Sequence, residues 1–255
     1  MNNLNGKLAL VTGGASGIGR AISLELTSLG ADVIVHYHSS QKEAEELADE
    51  IQKNNGRASC FGADLTREDE VKKLADFTAS KRSPSVLDIL VNNAGDMIKR
   101  TPFESMPLAF IQKTMAVNLE SMMLLTRDLL PLLRKASGAS VINLSSLAGR
   151  ESGGAGAVAY AASKGAIISF TRTLAKQEAV YGIRANSVCP GLILGSRFHE
   201  IHTPKEKQKA IIENIPVGRA GTCGDVARAV GFLASEYNGF ITGISLDING
   251  GVYVA

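Results

Sequence analysis

The chain has 255 residues, 45% of them hydrophobic and 20% charged, with a net charge of +2 and a mean hydropathy of +0.07. This is the composition of a globular protein with ample material for a buried core, and its scattered basic residues form neither a nucleic-acid nor a membrane surface. Cys60, Cys189 and Cys223 are odd in number and lack CxxC spacing, which argues against a disulfide framework or a zinc site and for free thiols in a reducing compartment.

The apolar run Leu8–Val11 is too short for a signal-peptide core, and no stretch reaches the ~18 apolar residues of a membrane span. A soluble, cytoplasmic protein is expected. Short runs rich in Val, Ile and Leu then alternate with amphipathic segments. The predicted strands are Lys7–Thr12, Asp32–His36, Ala58–Gly62, Leu87–Asn92, Ser140–Leu144, Arg184–Val188 and Gly243–Ile248. The predicted helices are Gly17–Leu29, Gln41–Asn54, Arg67–Ser80, Pro107–Lys135, Val158–Val180 and Thr222–Ala234. Continuous apolar runs mark strands covered on both faces, as in a parallel sheet. Strand–helix alternation of this length implies right-handed crossovers and a doubly wound α/β sheet. No linker breaks the rhythm, so residues 1–255 are expected to form one domain, with Gly153–Gly156 and Gly195–Lys209 as loops at one sheet edge.

Between the first strand and first helix lies Thr12-Gly13-Gly14-Ala15-Ser16-Gly17-Ile18-Gly19. Glycines there let the backbone turn sharply against a pyrophosphate, and the helix N-terminus offers free N–H groups and partial positive charge. A glycine turn alone is also an ordinary turn; its place in a βαβ unit favours the dinucleotide reading. The second strand ends in Tyr37-His38-Ser39-Ser40 without an acid to take a ribose 2′-hydroxyl. That favours NADP(H), with NAD(H) as the alternative, His38 and Ser39 serving as 2′-phosphate partners and Lys42 nearby. Ser39 or Ser40 would equally cap the next helix.

Tyr160 and Lys164 are four residues apart, one turn along a helix face. An ammonium there favours phenolate and moves a tyrosine towards useful acid–base chemistry. Ser145 and Ser146 follow the strand ending at Leu144, at the carboxyl edge where open α/β sheets bind ligands, and a hydroxyl there can donate to a carbonyl oxygen. Asn118 interrupts an apolar helical stretch, which suggests a buried or water-linked role.

These motifs, Thr12-Gly13-x-x-x-Gly17-x-Gly19, Asp64, Asn92-Asn93-Ala94-Gly95, Asn118, Ser146, Tyr160-x-x-x-Lys164 and Pro190-Gly191, together resemble the short-chain dehydrogenases/reductases over nearly the whole chain. The resemblance implies a Rossmann-like, seven-stranded parallel sheet with helices on both faces, assembled as a homotetramer. It implies hydride exchange between a nicotinamide and a carbonyl carbon, with Tyr160 as general acid or base, Lys164 lowering its pKa and holding the nicotinamide ribose, Ser146 orienting the carbonyl and Asn118 supporting a proton relay. By the same resemblance Asp64 and Leu65 would meet the adenine and Asn92 its ribose. Ala94 and Gly95 would line the cofactor, as would Gly13, Ser16, Gly17, Ile18, Gly19 and Tyr37, while Pro190, Gly191 and Ile193 would flank the nicotinamide. Where relatives carry a Thr after Pro-Gly this chain has Gly195, with Ser196 next, so that contact is lost or shifted by one residue.

The ending Ile241-Thr242-Gly243…Asn249-Gly250-Gly251 resembles the 3-oxoacyl-acyl-carrier-protein reductases and related sugar and alcohol dehydrogenases. The leading expectation is an NADPH-dependent carbonyl reductase acting on 3-oxoacyl thioesters. The alternatives are an NAD(P)-dependent dehydrogenase of a sugar or small secondary alcohol, and an inactive dinucleotide-sensing protein, which intact Tyr160, Lys164, Ser146 and Asn118 disfavour. A substrate lid is expected at 192–213, with Phe198 and the Ile211–Ile212 pair at an apolar pocket. Lys99, Arg100, Arg150, Arg197, Lys205 and Lys207 would form a basic surface for an acidic carrier protein. His199 and His202, without a third ligand, read as lid residues and not as a metal site.

Overall fold

The apolar runs become strands that are buried in the middle of the sheet and half-buried at its two edges. In the computed structural model, which describes residues 3–235 and 239–255, they are β1 (Leu8–Val11), β2 (Asp32–Tyr37), β3 (Ala58–Gly62), β4 (Ile89–Asn92), β5 (Ser140–Leu144), β6 (Arg184–Pro190) and, last in sequence, β9 (Ser245–Ile248). They pair in parallel in the order β3-β2-β1-β4-β5-β6-β9. The order reverses direction between β1 and β4, so the loops after these two strands diverge and leave a crevice at their carboxyl ends.

Helices α1 (Gly17–Ser28), α2 (Gln41–Lys53), α3 (Glu68–Ser80), α4 (Leu108–Met115), α5 (Ser121–Leu133), α6 (Val158–Glu178) and α9 (Cys223–Ala234) cover the two faces. One core packs Ile22 and Leu26 of α1 and Val226 and Val230 of α9 onto Val11, Val33 and Val91. The other packs Leu74 of α3, Leu125 and Leu129 of α5 and Leu174 of α6 onto Leu10, Leu90 and Val141. Alternate residues of each strand thus enter opposite cores, as a pleat requires. Arg134 donates twice to the fully buried Glu178 at 2.8 Å and ties the ends of α5 and α6 together.

Two expectations need correction. The single helix expected over Pro107–Lys135 is interrupted by a π-helical turn at Ala116–Glu120. Asn118 causes it in physical terms: its Nδ2 donates to the Thr114 carbonyl at 3.0 Å and to the Asp96 carbonyl at 2.7 Å, taking an oxygen the helix would otherwise use. The stretch Gly195–Lys209, expected as a loop, holds α7 (Arg197–His202) and the start of α8 (Lys205–Glu213), with Pro204 at the N-cap of α8. A two-stranded sheet of β7 (Ile193–Leu194) and β8 (Gly221–Thr222) anchors this insertion. At the N-cap of α2, Ser40 makes no side-chain capping bond. Among the described residues no helix is long and apolar enough to cross a membrane.

Candidate active site

One crevice runs along the carboxyl edge of the sheet, with a cavity of about 680 Å³. At one end lies the glycine turn. Gly13 and Gly17 adopt positive φ, 59° and 52°. A Cβ on Gly19 would sit 2.1 Å from the Gly13 carbonyl oxygen, so α1 approaches the turn as closely as backbone allows. His36 holds the turn from below: its Nδ1 accepts from the Gly13 N–H at 3.1 Å while Nε2 faces the Ala63 carbonyl at 3.0 Å. Burial pushes this imidazole down to about 4, keeping it neutral and able to accept. Asn93 holds the turn from the side, donating to the Thr12 and Gly13 carbonyls at 2.8 and 3.1 Å. Thr12 Oγ1 accepts from Asn93 and Ala94 in return.

The turn fits a dinucleotide on two observations. Ser16 stands at the N-cap of α1 without a capping side chain, and the first turn of the helix carries no acid, so its free N–H groups face the crevice uncompensated. Side chains that would fill the cradle are missing at Gly13, Gly17 and Gly19. Along the wall follow Ile18, Tyr37, His38, Ser39, Ala94, Gly95, Pro190, Gly191 and Ile193, as expected for a cofactor groove. Ser196 lines it too, with its Cβ and Cα against Gly17, while Gly195 contributes no side chain there.

Three expected cofactor residues are not part of the crevice lining. Asn92 pairs in register with Asn143, and its Nδ2 donates to Asn143 Oδ1 at 2.8 Å and Thr126 Oγ1 at 3.1 Å, inside the packing between sheet and α5. Leu65 is buried in the core beside Leu74 and Leu90. The Asp64 carboxylate closes a local turn, accepting from Thr66 N and Oγ1 at 3.0 and 2.7 Å, with His38 4.0 Å away.

Further along the crevice, α6 brings Tyr160 and Lys164 to the wall, both more than nine-tenths buried. Ser146 follows β5 in extended backbone and accepts from Ala148 N at 3.1 Å. Burial pushes the Tyr160 phenol up to about 12, a hydrogen bond with Ser146 pulls against this, and the Asp96 charge adds to the rise. Burial also pulls Lys164 down to about 8. Lys164 Nζ donates to the Leu144 carbonyl at 2.8 Å and stands 5.7 Å from the tyrosine ring centroid. Asn118 lies just behind the wall. A Cβ on Gly95 would be 2.6 Å from Asn118 Oδ1 and 3.2 Å from Lys164 Nζ, so Gly95 leaves these two groups a shared gap.

The insertion covers this end. Phe198 of α7 lies over Tyr160 with ring centroids 5.4 Å apart, and Met97, Ala148 and Ala157 complete an apolar patch around them. Leu192, Ile201, Lys207 and Ile211 reach the crevice, whereas Ile212 does not line it. His199 faces Thr203 Oγ1 at 3.1 Å and His202 faces Asp96 at 3.0 Å, with the Phe198 ring against each imidazole. Of the expected basic surface, Arg150 is bound to Asp247 at 2.9 and 3.1 Å and packs on Tyr253, and Lys99 and Lys205 lie outside the crevice wall; the Arg197 side chain is outside the described residues.

Comparison with known proteins agrees with this arrangement. Residues 13–253 match the family model described as enoyl-(acyl carrier protein) reductase. The uncharacterized oxidoreductase YmfI of Bacillus subtilis is 38% identical over 96% of this chain and 98% of its own length. The 3-oxoacyl-acyl-carrier-protein reductase FabG of Haemophilus influenzae is 36% identical over 99% of this chain and 100% of its own. Among solved structures, a dehydrogenase/reductase from Sinorhizobium meliloti superposes with a TM-score of 0.91 at 32% identity, covering 99% of this chain and 97% of that one. A 7α-hydroxysteroid dehydrogenase, solved with NADH and 7-oxo glycochenodeoxycholic acid, gives 0.91 at 33% identity, covering 98% and 95%. With the parallel sheet, the glycine turn and the Ser146–Tyr160–Lys164 group in one crevice, the chain belongs to the short-chain dehydrogenase/reductase family, NAD(P)-dependent oxidoreductases acting on CH–OH and C=O groups.

Proposed function

We propose that the protein is an NADP(H)-dependent carbonyl reductase, reversible towards secondary alcohols, with Tyr160 as its general acid. The observation that carries this is the placement of Ser146, Tyr160 and Lys164 on one crevice wall, Tyr160 buried one helical turn from Lys164, at the end of a groove that begins at the glycine turn. When bound, the nicotinamide supplies the hydride for the carbonyl carbon. The Ser146 and Tyr160 hydroxyls hold the carbonyl oxygen, and Tyr160 delivers its proton as negative charge develops there. The phenol is protonated at neutral pH, as a proton donor in reduction must be, while burial makes it a weaker acid than free tyrosine. Lys164 keeps a positive charge beside the phenolate left behind, and Asn118, across the gap over Gly95, connects it to the π-helical turn.

His38 and Ser39 at the groove rim, with no acid in the lining at that end and Asp64 4.0 Å from His38, support NADP(H) over NAD(H). The segment 192–213 acts as the lid, closing Phe198 over the reacting carbonyl and excluding water. The FabG relatives support 3-oxoacyl thioesters as the first substrates to test. The test is nicotinamide absorbance with NADPH and NADH separately, against ketones that include 3-oxoacyl thioesters. Faster turnover with NADPH is expected. Equal or better turnover with NADH overturns the cofactor preference, and no turnover of any ketone overturns the reading.

A further inference from the structure

Beyond Tyr160 the crevice wall carries cations without an ion pair among the described residues. Arg100 comes from the segment after β4, where its Cβ lies against Gly156, four residues before Tyr160. Its Nε donates to the His202 carbonyl at 3.2 Å, and Nη1 donates to the carbonyls of Gly153 and Ala155 at 3.1 and 2.9 Å. Three carbonyls fix the orientation of the guanidinium but leave its charge in place. Nη2 has no hydrogen-bond partner and the group has no ion pair among the described residues. Lys207 of α8 lines the same space, also without an ion pair among the described residues. Of the described residues, Asp96 is the one acid on the wall, and its Oδ1 faces His202 Nε2.

This charge is on the carbonyl side of the crevice. The glycine turn touches Asn93 and Ser196. Arg100 is held instead by the loop leading into Tyr160 and by α7, whose Phe198 covers the Tyr160 ring. A half-buried guanidinium, immobilised in advance and with Nη2 open, is suited to receive an anionic oxygen without the entropy cost of ordering a long side chain.

We propose that the substrate is a carbonyl compound carrying its own carboxylate, which Arg100 receives, with Lys207 at the rim, while the carbonyl meets Tyr160 and Ser146. This rests on the carbonyl-reductase reading and narrows it. A 3-oxoacyl thioester carries no carboxylate next to its reacting segment, so thioesters become the competing outcome.

The test compares pyruvate, 3-oxobutanoate, 4-oxopentanoate and 5-oxohexanoate with their methyl esters, by kcat/KM and by calorimetric Kd on the cofactor-saturated protein. At the best spacing the acid should exceed its ester by at least about 10-fold, the range of a charge-assisted contact. In Arg100→Gln the acid/ester ratio should fall about 10- to 100-fold, with partial return in Arg100→Lys. Loss of the loop clamp alone lowers acid and ester together and leaves the ratio unchanged, and that result overturns the proposal. Should Arg100→Gln fail to fold, the wild-type ratio and its fall in Lys207→Gln decide. Ester preferred at every spacing, or a thioester preferred over every oxo acid, also overturns it. Equal turnover of acids and esters removes the carboxylate site and keeps the reductase; tighter binding of acids without any turnover does the reverse.

Discussion

Replacing Gly19 by alanine should weaken dinucleotide binding about 100-fold while leaving the sheet folded. The new Cβ would lie 2.1 Å from the Gly13 carbonyl oxygen, 2.9 Å from its carbon and 2.6 Å from Asn93 Nδ2. Retreat to 3.0 Å moves the Gly13 carbonyl by about 0.9 Å, since α1 is packed against α9 and cannot yield instead. That displacement breaks the Asn93–Gly13 bond and strains the His36 bond on the same residue. Overpacking of this kind costs about 1–3 kcal/mol of stability, which a domain of this size tolerates. The effect on binding is larger in proportion. Moving the cradle by most of an ångström forfeits about two charge-assisted hydrogen bonds to pyrophosphate, together about 3 kcal/mol, or about 100-fold in Kd. Calorimetry with NADPH and NADH, alongside urea unfolding, separates the two effects. A folded Gly19→Ala protein with Kd within about threefold of wild type would refute the assignment of this turn to the pyrophosphate.

Two further outcomes follow from buried titrating groups. Because burial brings Lys164 to about 8, kcat/KM for the nicotinamide, which reports the protein before cofactor binds, should fall above that pH as the ammonium is lost; a flat profile to pH 10 would contradict the role given to its charge. His36 titrates at about 4 when folded and at the ordinary 6.5 when unfolded, so between these pH values the unfolded chain binds more protons and stability rises with pH. Its contribution is complete above about 6.5, and about 2 kcal/mol of it is lost between pH 7 and pH 5. Urea unfolding at both pH values should show this difference in wild type and lose it in His36→Asn.

Much of this site is legible in the sequence because its residues stand at strand ends, where hydrophobic patterning locates them. The glycine turn, Ser146 and Tyr160–Lys164 fall where the apolar runs stop. Adjacent residues at a strand end are harder to assign, because successive side chains face opposite ways. Asn92 remains in register and points into the packing, while Asn93, one residue later, supports the glycine turn. The supporting role of His36 had a visible signal, a polar residue closing the run Val33–Val35, but its partner Gly13 is distant in sequence. Helices α7 and α8 were hidden by their polar composition and by Pro204, and the side chains that matter there meet residues a hundred positions away, as His202 meets Asp96. The raised phenol of Tyr160 could not be read from the spacing to Lys164, since it depends on what buries both groups.

The claim that Tyr160 transfers the proton is tested most directly by Tyr160→Phe, which keeps the ring under Phe198 and removes only the hydroxyl. Single-turnover decay of NADPH absorbance with a saturating ketone is the measurement, with nucleotide Kd and thermal unfolding as controls. The rate should fall about 10²- to 10⁴-fold with Kd unchanged. A folded Tyr160→Phe protein that reduces the ketone at near wild-type rate would contradict the mechanism.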